Sequence, residues 1–413
     1  MDRKDWCISA VLGCWVLVGM LISGAAFGQA PDNLTQSVTY DSETITLQMT
    51  RESVRGPNFE VLVQNSSGGY DAYTAGEVRT YLGYVDEYPG AAVAGILLSD
   101  ETLKARVYFD RGATWFTLGD AVTGTRGLGS PVYSPPTKPS VAPGHAGTTT
   151  YRYGLGVDSD YRAFSQRWGS SVSQGLEMIE FSACQLKAIF MQDTLLQPVL
   201  ERVIIRTSQA TCPYDGTTGT ALLSLLAAEW NNNQADALAY CLKVGLASPA
   251  IGGGVAYMPG RYSVNGMNSD GSFDTVWRHE IGHSWACGDY HAGSPEGPTL
   301  MCGNQYGRYC GPSVETIFGR RDNSLSDLTD LGTYTGNNFP PYAALDFAEI
   351  ISGSGGVTID VAGNDFDLNA QSVALDSYDS ASDAGGSVTL SPGTGPGGRD
   401  ELTYNPPADF MGV

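Results

Sequence analysis

The six residues Arg278-His279-Glu280-Ile281-Gly282-His283 constrain this chain more tightly than any other stretch. They contain H-E-x-x-H, and the spacing sets a geometric demand. Residues four apart on a helix lie one above the other, so the imidazoles of His279 and His283 converge on a single metal ion only if the backbone is helical. Glu280 then sits about 100° round the helix from His279, within reach of a water beside that ion without ligating it. On the same wheel Phe273, Trp277, Ile281 and Trp285 gather on the far side, a face for packing on a core. Asp270 or Ser272 is placed to cap the helix N-terminus. The chain has four histidines. Three of them, His279, His283 and His291, fall within thirteen residues, which favours a metal site over a chance pattern.

A chain of 413 residues has room for two or three domains with their own cores. The formal net charge of −21 argues against nucleic acid or an anionic membrane surface as a partner. At the N-terminus, Asp2-Arg3-Lys4-Asp5 precedes an apolar run over residues 6–27, and small residues follow in Gly24-Ala25-Ala26-Phe27-Gly28-Gln29-Ala30. That order predicts a signal peptide over residues 1–30, cleaved after Gly28 or Ala30, and hence a secreted protein of bacterial-type export. The rival reading is a retained membrane anchor, since the run is long enough to span a bilayer. Cys7 and Cys14 fall in this leader. The other cysteines, Cys184, Cys212, Cys241, Cys287, Cys302 and Cys310, are confined to the middle of the chain, and an even set in an exported protein predicts disulfides.

Residues 31–128 hold no cysteine and read as short strands: 44–50, 59–63, 80–85, 91–98 and 105–109, several alternating apolar and polar. Residues 129–148 are rich in Pro, Ser, Gly and Thr, the composition of a linker and of a processing site. His145 lies there and is read as solvated. From 149 to 336 the pattern changes. Helical spacing runs from Tyr161 to Phe190, weakened at Gly169 and Gly175, and again over 220–230. Extended runs cover 200–207 and 250–264, so that helix and strand alternate up to the histidine helix. Asn337-Asn338-Phe339-Pro340-Pro341 opens a last segment, 337–413, with strand runs near 356–361, 387–390 and 402–404.

Several of these stretches resemble known families. His279-Glu280-x-x-His283 with the residues after it is similar to the metzincin zinc metallopeptidases, whose motif is H-E-x-x-H-x-x-G-x-x-H. At the glycine position this chain has Ala286, and at the third-ligand position Asp289. Snapalysin-type metzincins use Asp there, and Asp289-Tyr290-His291-Ala292-Gly293 resembles their run. A two-residue insertion would instead make Gly288-Asp289-Tyr290-His291 the G-x-x-H, so the third ligand is Asp289 or His291. Pro298-Thr299-Leu300-Met301-Cys302-Gly303 resembles the Met-turn that places a methionine beneath the metal, and a disulfide between Cys287 and Cys302 would staple the ligand loop to it. Val255-Ala256-Tyr257 and Tyr262-Ser263-Val264 resemble the reprolysin (adamalysin) segment whose edge strand pairs with an extended substrate.

Tyr81-Leu82-Gly83-Tyr84-Val85, Pro89-Gly90-Ala91-Ala92-Val93-Ala94 and Gly112-Ala113-Thr114-Trp115-Phe116 resemble a reprolysin-type prodomain. Such prodomains often cap the zinc with a cysteine. Residues 31–183 have none, so an inhibitory prosegment here would block the cleft sterically or through another ligand. The last segment resembles bacterial cadherin-like modules through Asp360-Val361-Ala362-Gly363-Asn364-Asp365-Phe366-Asp367, Gly386-Ser387-Val388-Thr389 and Leu402-Thr403-Tyr404-Asn405-Pro406. It is expected to be incomplete. Asn364, Asp365 and Asp367 are candidate calcium ligands.

Together these resemblances imply an α/β metzincin-like catalytic domain with a mixed sheet and a zinc helix. A β-rich prodomain would precede it and an all-β, sandwich-like module follow it. The implied activity is zinc-dependent hydrolysis of peptide bonds in proteins by an activated water, with Glu280 as general base. The rivals are a non-catalytic surface or adhesion protein with a peptidase-like domain, and a zinc amidase acting on the cell wall.

Overall fold

A computed structural model describes residues 29–40, 43–109, 114–118, 123–125, 148–289, 299–302, 307–309, 311–336, 341, 346, 348, 350 and most of 353–408. It is a mixed α/β protein with several β-sheets and few helices. Residues 1–28 of the expected leader lie outside the described residues, and among those described no helix is long and apolar enough to cross a membrane.

The N-terminal region is all β, as its alternation predicts. In the strand Glu43–Arg51, Ile45, Leu47 and Met49 point inward and are at most 2% exposed, while Thr44 is exposed and Thr46 and Gln48 only partly covered. This strand belongs to an antiparallel sheet of seven, ordered Asn33–Tyr40, Glu43–Arg51, Thr80–Val85, Tyr88–Leu97, Leu103–Tyr108, Thr114–Leu118 and Thr123–Thr125. The strands between the second and third of these leave the sheet altogether. Arg55–Gln64 and its partner Tyr70–Ala72 join a second sheet instead.

That second sheet is built mainly from the middle of the chain. Its parallel core is Tyr262–Asn265, Lys243–Ala247, Thr149–Ser159 and Leu196–Ile205, with Gly254–Ala256 antiparallel at one edge. Toward the other edge, which Tyr70–Ala72 forms, Arg55–Gln64 runs parallel to Leu196–Ile205, with Glu60, Val61, Leu62 and Val63 opposite Arg202, Val203, Ile204 and Ile205. Thr329–Thr333 pairs antiparallel with the start of Thr149–Ser159. The central strands are buried along most of their length, so they lack the apolar and polar alternation of a half-buried strand, and Thr149–Ser159 and Lys243–Ala247 carried no strand signal in the sequence. The sequence boundary near residue 128 therefore falls between segments that share one hydrogen-bonded sheet.

The helical run expected over 161–190 is two helices, Tyr161–Gln166 and Val172–Thr194. Gly169 and Ser170, both at positive φ, make the break, and Ser171 caps the second helix by accepting from Gln174 N. This long helix packs between the two sheets. Helices Ala221–Asn233 and Gly311–Asp322 complete the central region, beside the histidine helix Asp274–Ser284. Among the described residues of the tail, Val357–Ile359, Glu401–Asn405 and Ser387–Ser391 form a three-stranded antiparallel sheet.

Candidate metal centre

The H-E-x-x-H stretch lies on the helix Asp274–Ser284, with its apolar face turned inward: Phe273, Trp277 and Ile281 are 0% exposed and Trp285 is 1%. The expected cap is not used. Phe273 occupies the N-cap position without a side-chain bond, because Asp270 and Ser272 bond each other and Arg106 instead. The first turn is held by a charge from outside the helix. Arg106 Nη1 donates to Asp274 Oδ2 at 2.6 Å and Nη2 to Ser272 Oγ at 3.1 Å. An acidic residue is favoured at this end by the helix dipole.

The C-terminal end closes in a Schellman motif. Cys287 N donates to Gly282 O at 3.0 Å and Ala286 N to His283 O at 2.8 Å, with Ala286 at φ +79°. Ala286 occupies the place of the metzincin glycine and takes the left-handed conformation that glycine would supply. Beyond it the chain returns toward the histidines. Lys243 supports the same end from the sheet, its Nζ donating to Ser284 O at 2.6 Å and to Gly260 O at 2.8 Å above the Trp285 ring.

These two ends set the site. His279 Nε2 lies 3.0 Å from His283 Nε2, and Asp289 Oδ1 is 3.2 Å from the first and 3.4 Å from the second. Ligand atoms about 2.0–2.1 Å from a tetrahedral ion lie roughly 3.3 Å apart, so the triangle has the size of three corners of such a shell. The far ring nitrogens are fixed as donors. His279 Nδ1–H donates to Leu300 O at 3.1 Å and His283 Nδ1–H to Cys287 O at 2.8 Å, which leaves both Nε2 lone pairs facing one point. Two unprotonated nitrogens and a carboxylate oxygen in contact repel one another unless a cation lies between them. Burial also pushes His279 below its ordinary pKa, keeping it in the ligating form. A His-His-Asp cluster that can hold a metal ion is therefore present, and it is the only such group of three among the described residues.

Glu280 is 3% exposed, and its Oε2 has no hydrogen-bond partner among the described residues. Burial, with a contribution from Asp289, pushes its carboxyl up to about 8. It lies directly against the edge strand Gly254–Ala256: a Cβ at Gly254 would come within 2.4 Å of Glu280 Oε1, so only glycine allows this approach. Beneath the helix, Met301 is fully buried with its sulfur where a Cβ on Gly282 would be 2.5 Å away. The backbone just before it, at Leu300, accepts from His279.

The remaining expectations divide. His291 and Asn364 lie outside the described residues. Asp365 and Asp367 are described; among the described residues they belong to no group of three metal-holding side chains, and Asp367 accepts from Gln371 N. Disulfides find no support. Cys184, Cys212 and Cys241 are buried free thiols, their pKa values pushed up by burial, and they pack as small apolar side chains. The Cys302 side chain of the suggested Cys287–Cys302 pair, and all of Cys310, lie outside the described residues. Arg106 and Lys243 carried no local signal in the sequence, since each reaches the helix from a distant strand.

No family model matches the chain, and no curated protein matches it. Among solved structures, one from a chaperone–substrate complex aligns at a TM-score of 0.32 with 15% identity, over 65% of this chain and 40% of that one. This chain thus spans less than half of that structure's length. Metalloproteinase-II from Bacteroides fragilis aligns at a TM-score of 0.31 with 10% identity, over 70% of this chain and 88% of that one. Likenesses at this level leave function to the geometry of the site.

Proposed function

We propose that the protein is a zinc-dependent endopeptidase of metzincin type, with His279, His283 and Asp289 as metal ligands and Glu280 as general base. The triangle of Nε2, Nε2 and Oδ1 atoms carries this reading, because its size and its mixed nitrogen and oxygen donors suit zinc. Zinc bound there would act as a Lewis acid, acidifying water and polarising a carbonyl.

The chain's own residues supply the rest. Glu280 can take a proton and return it to a leaving amine, and the burial that raises its pKa makes the carboxyl a ready proton carrier near neutral pH. Among the described residues no strand pairs with the outer edge of Gly254–Ala256 beside Glu280, and an extended peptide can pair there by β-addition. Leu300 and Cys287 carbonyls keep the histidines oriented, and Met301 fills the space beneath them.

Casein digestion with and without chelator, run beside a cell-wall digest and a metal assay, tests the assignment. Glu280→Gln should keep zinc and cleave nothing. Asp289→Asn should lose zinc by at least about tenfold in affinity, whereas His291→Asn should keep it. Proteolysis by Glu280→Gln, or an Asp289→Asn variant with unchanged zinc affinity, would sink the respective role.

A further inference from the structure

The sequence suggests a removable prosegment over 31–128, yet the described part of that region is bonded into the metal-binding body at three levels. Its strand Arg55–Gln64 completes the second sheet along Leu196–Ile205. Its ions answer buried charges: Arg55 Nε lies 2.5 Å from Glu180 Oε1, Glu60 Oε1 2.5 Å from Arg202 Nη2, Glu52 Oε1 2.6 Å from Lys187 Nζ, and Arg106 Nη1 2.6 Å from Asp274 Oδ2. Its apolar residues Val54, Val61, Ala92, Ala94 and Tyr108 belong to the same core cluster as Trp277, Ile281 and Met301.

Departure of this region would leave Glu180, Lys187 and Asp274, all at most 4% exposed in the intact fold, without these opposite charges, and Arg202 with Asp236 alone. A buried charge deprived of its partner is strongly unfavourable. Departure would also open Leu196–Ile205 as a bare sheet edge. The cleft side shows the opposite pattern. Among the described residues, His279 and His283 bond only Leu300, Cys287, Asp289 and each other, with nothing from the N-terminal region.

We propose that residues 31–109 are a permanent structural partner of the metal-binding region rather than an inhibitor that leaves. A cut between 129 and 147 then yields two chains that stay together, and Arg106 acts as a positioning residue that fixes the first turn of the histidine helix. The proposal stands apart from peptide hydrolysis, since it concerns assembly and metal retention only.

The full chain with a site-specific protease sequence inserted within 129–147 provides the test. After cutting, the two fragments should co-elute one to one on size exclusion in buffer and separate only in denaturant. Separation in buffer overturns the proposal. In the uncut chain, Arg106→Met should weaken zinc retention against a competing chelator by about tenfold, and Arg106→Lys should recover part of it. Unchanged zinc retention in Arg106→Met overturns the positioning role. Neither readout depends on whether the protein cleaves peptides.

Discussion

Ala286 shows how a departure from a motif can leave the geometry intact. At the position where the metzincin pattern has glycine, alanine adopts φ +79° and both Schellman hydrogen bonds form around it. A left-handed residue bearing a Cβ costs roughly 1–2 kcal/mol. Ala286→Gly removes that strain, partly offset by the greater freedom of glycine in the unfolded chain. The variant should therefore be more stable by about 0.5–1 kcal/mol, seen as a higher midpoint in thermal unfolding with zinc binding unchanged. A lower midpoint would mean that the Cβ makes contacts worth more than the strain. The histidine pair and Glu280 were legible in the sequence because a helix places them by local rules, whereas Asp289 was one of two candidates, with His291, for the turn that follows. The contact between Gly282 and Met301 was only half legible: the methionine was expected beneath the metal, but the need for glycine above it depends on how closely two segments pack.

At the level of elements, the histidine helix is short, and its ends are held from outside, by Arg106 at the first turn and by Lys243 at the last. Its buried face was readable from periodicity, whereas the expected side-chain cap was wrong. Capping rules describe a helix end facing water, and this end faces a buried guanidinium. The same limit hid Lys243. Burial, then the nearby Arg320 and Arg261, push its ammonium down to about 7, against Asp327. An unfolded lysine titrates near 10.4. Between these values the unfolded state binds more protons than the folded one, so Lys243 makes stability rise with pH across that window and fall away as pH drops toward 7. Lys243→Met should flatten this rise in denaturant-melt stabilities measured from pH 7 to 10. It should also cost about 1–3 kcal/mol, because the Ser284 and Gly260 carbonyls lose their donor. An unchanged pH slope would show that Lys243 stays protonated in the fold.

For the whole molecule, the strands were mostly found from the sequence but their partners were not. Alternation marks a strand locally, whereas the pairing of Val61 with Val203 joins residues far apart in the chain, and nothing in either stretch names the other. The linker composition at 129–148 pointed to two separable bodies, and composition cannot register a strand that crosses back. The shared core leads to a test of cooperativity. Val61 is 2% exposed and packs in the cluster that also holds Trp168, Trp277 and Trp285. Val61→Ala should cost roughly 1–3 kcal/mol through lost burial and the space left behind. In a Trp115→Phe background, Trp168, Trp230, Trp277 and Trp285 report the central region. Their fluorescence midpoint should fall together with the far-ultraviolet circular dichroism midpoint, by about 2–4 °C for each kcal/mol lost. If the N-terminal strands formed an independent unit, the mutation would lower the dichroism transition and leave the tryptophan transition in place. Joint movement follows from a core that neither region completes alone, because Val61 pairs with Val203 and belongs to the same buried cluster as the inward face of the histidine helix.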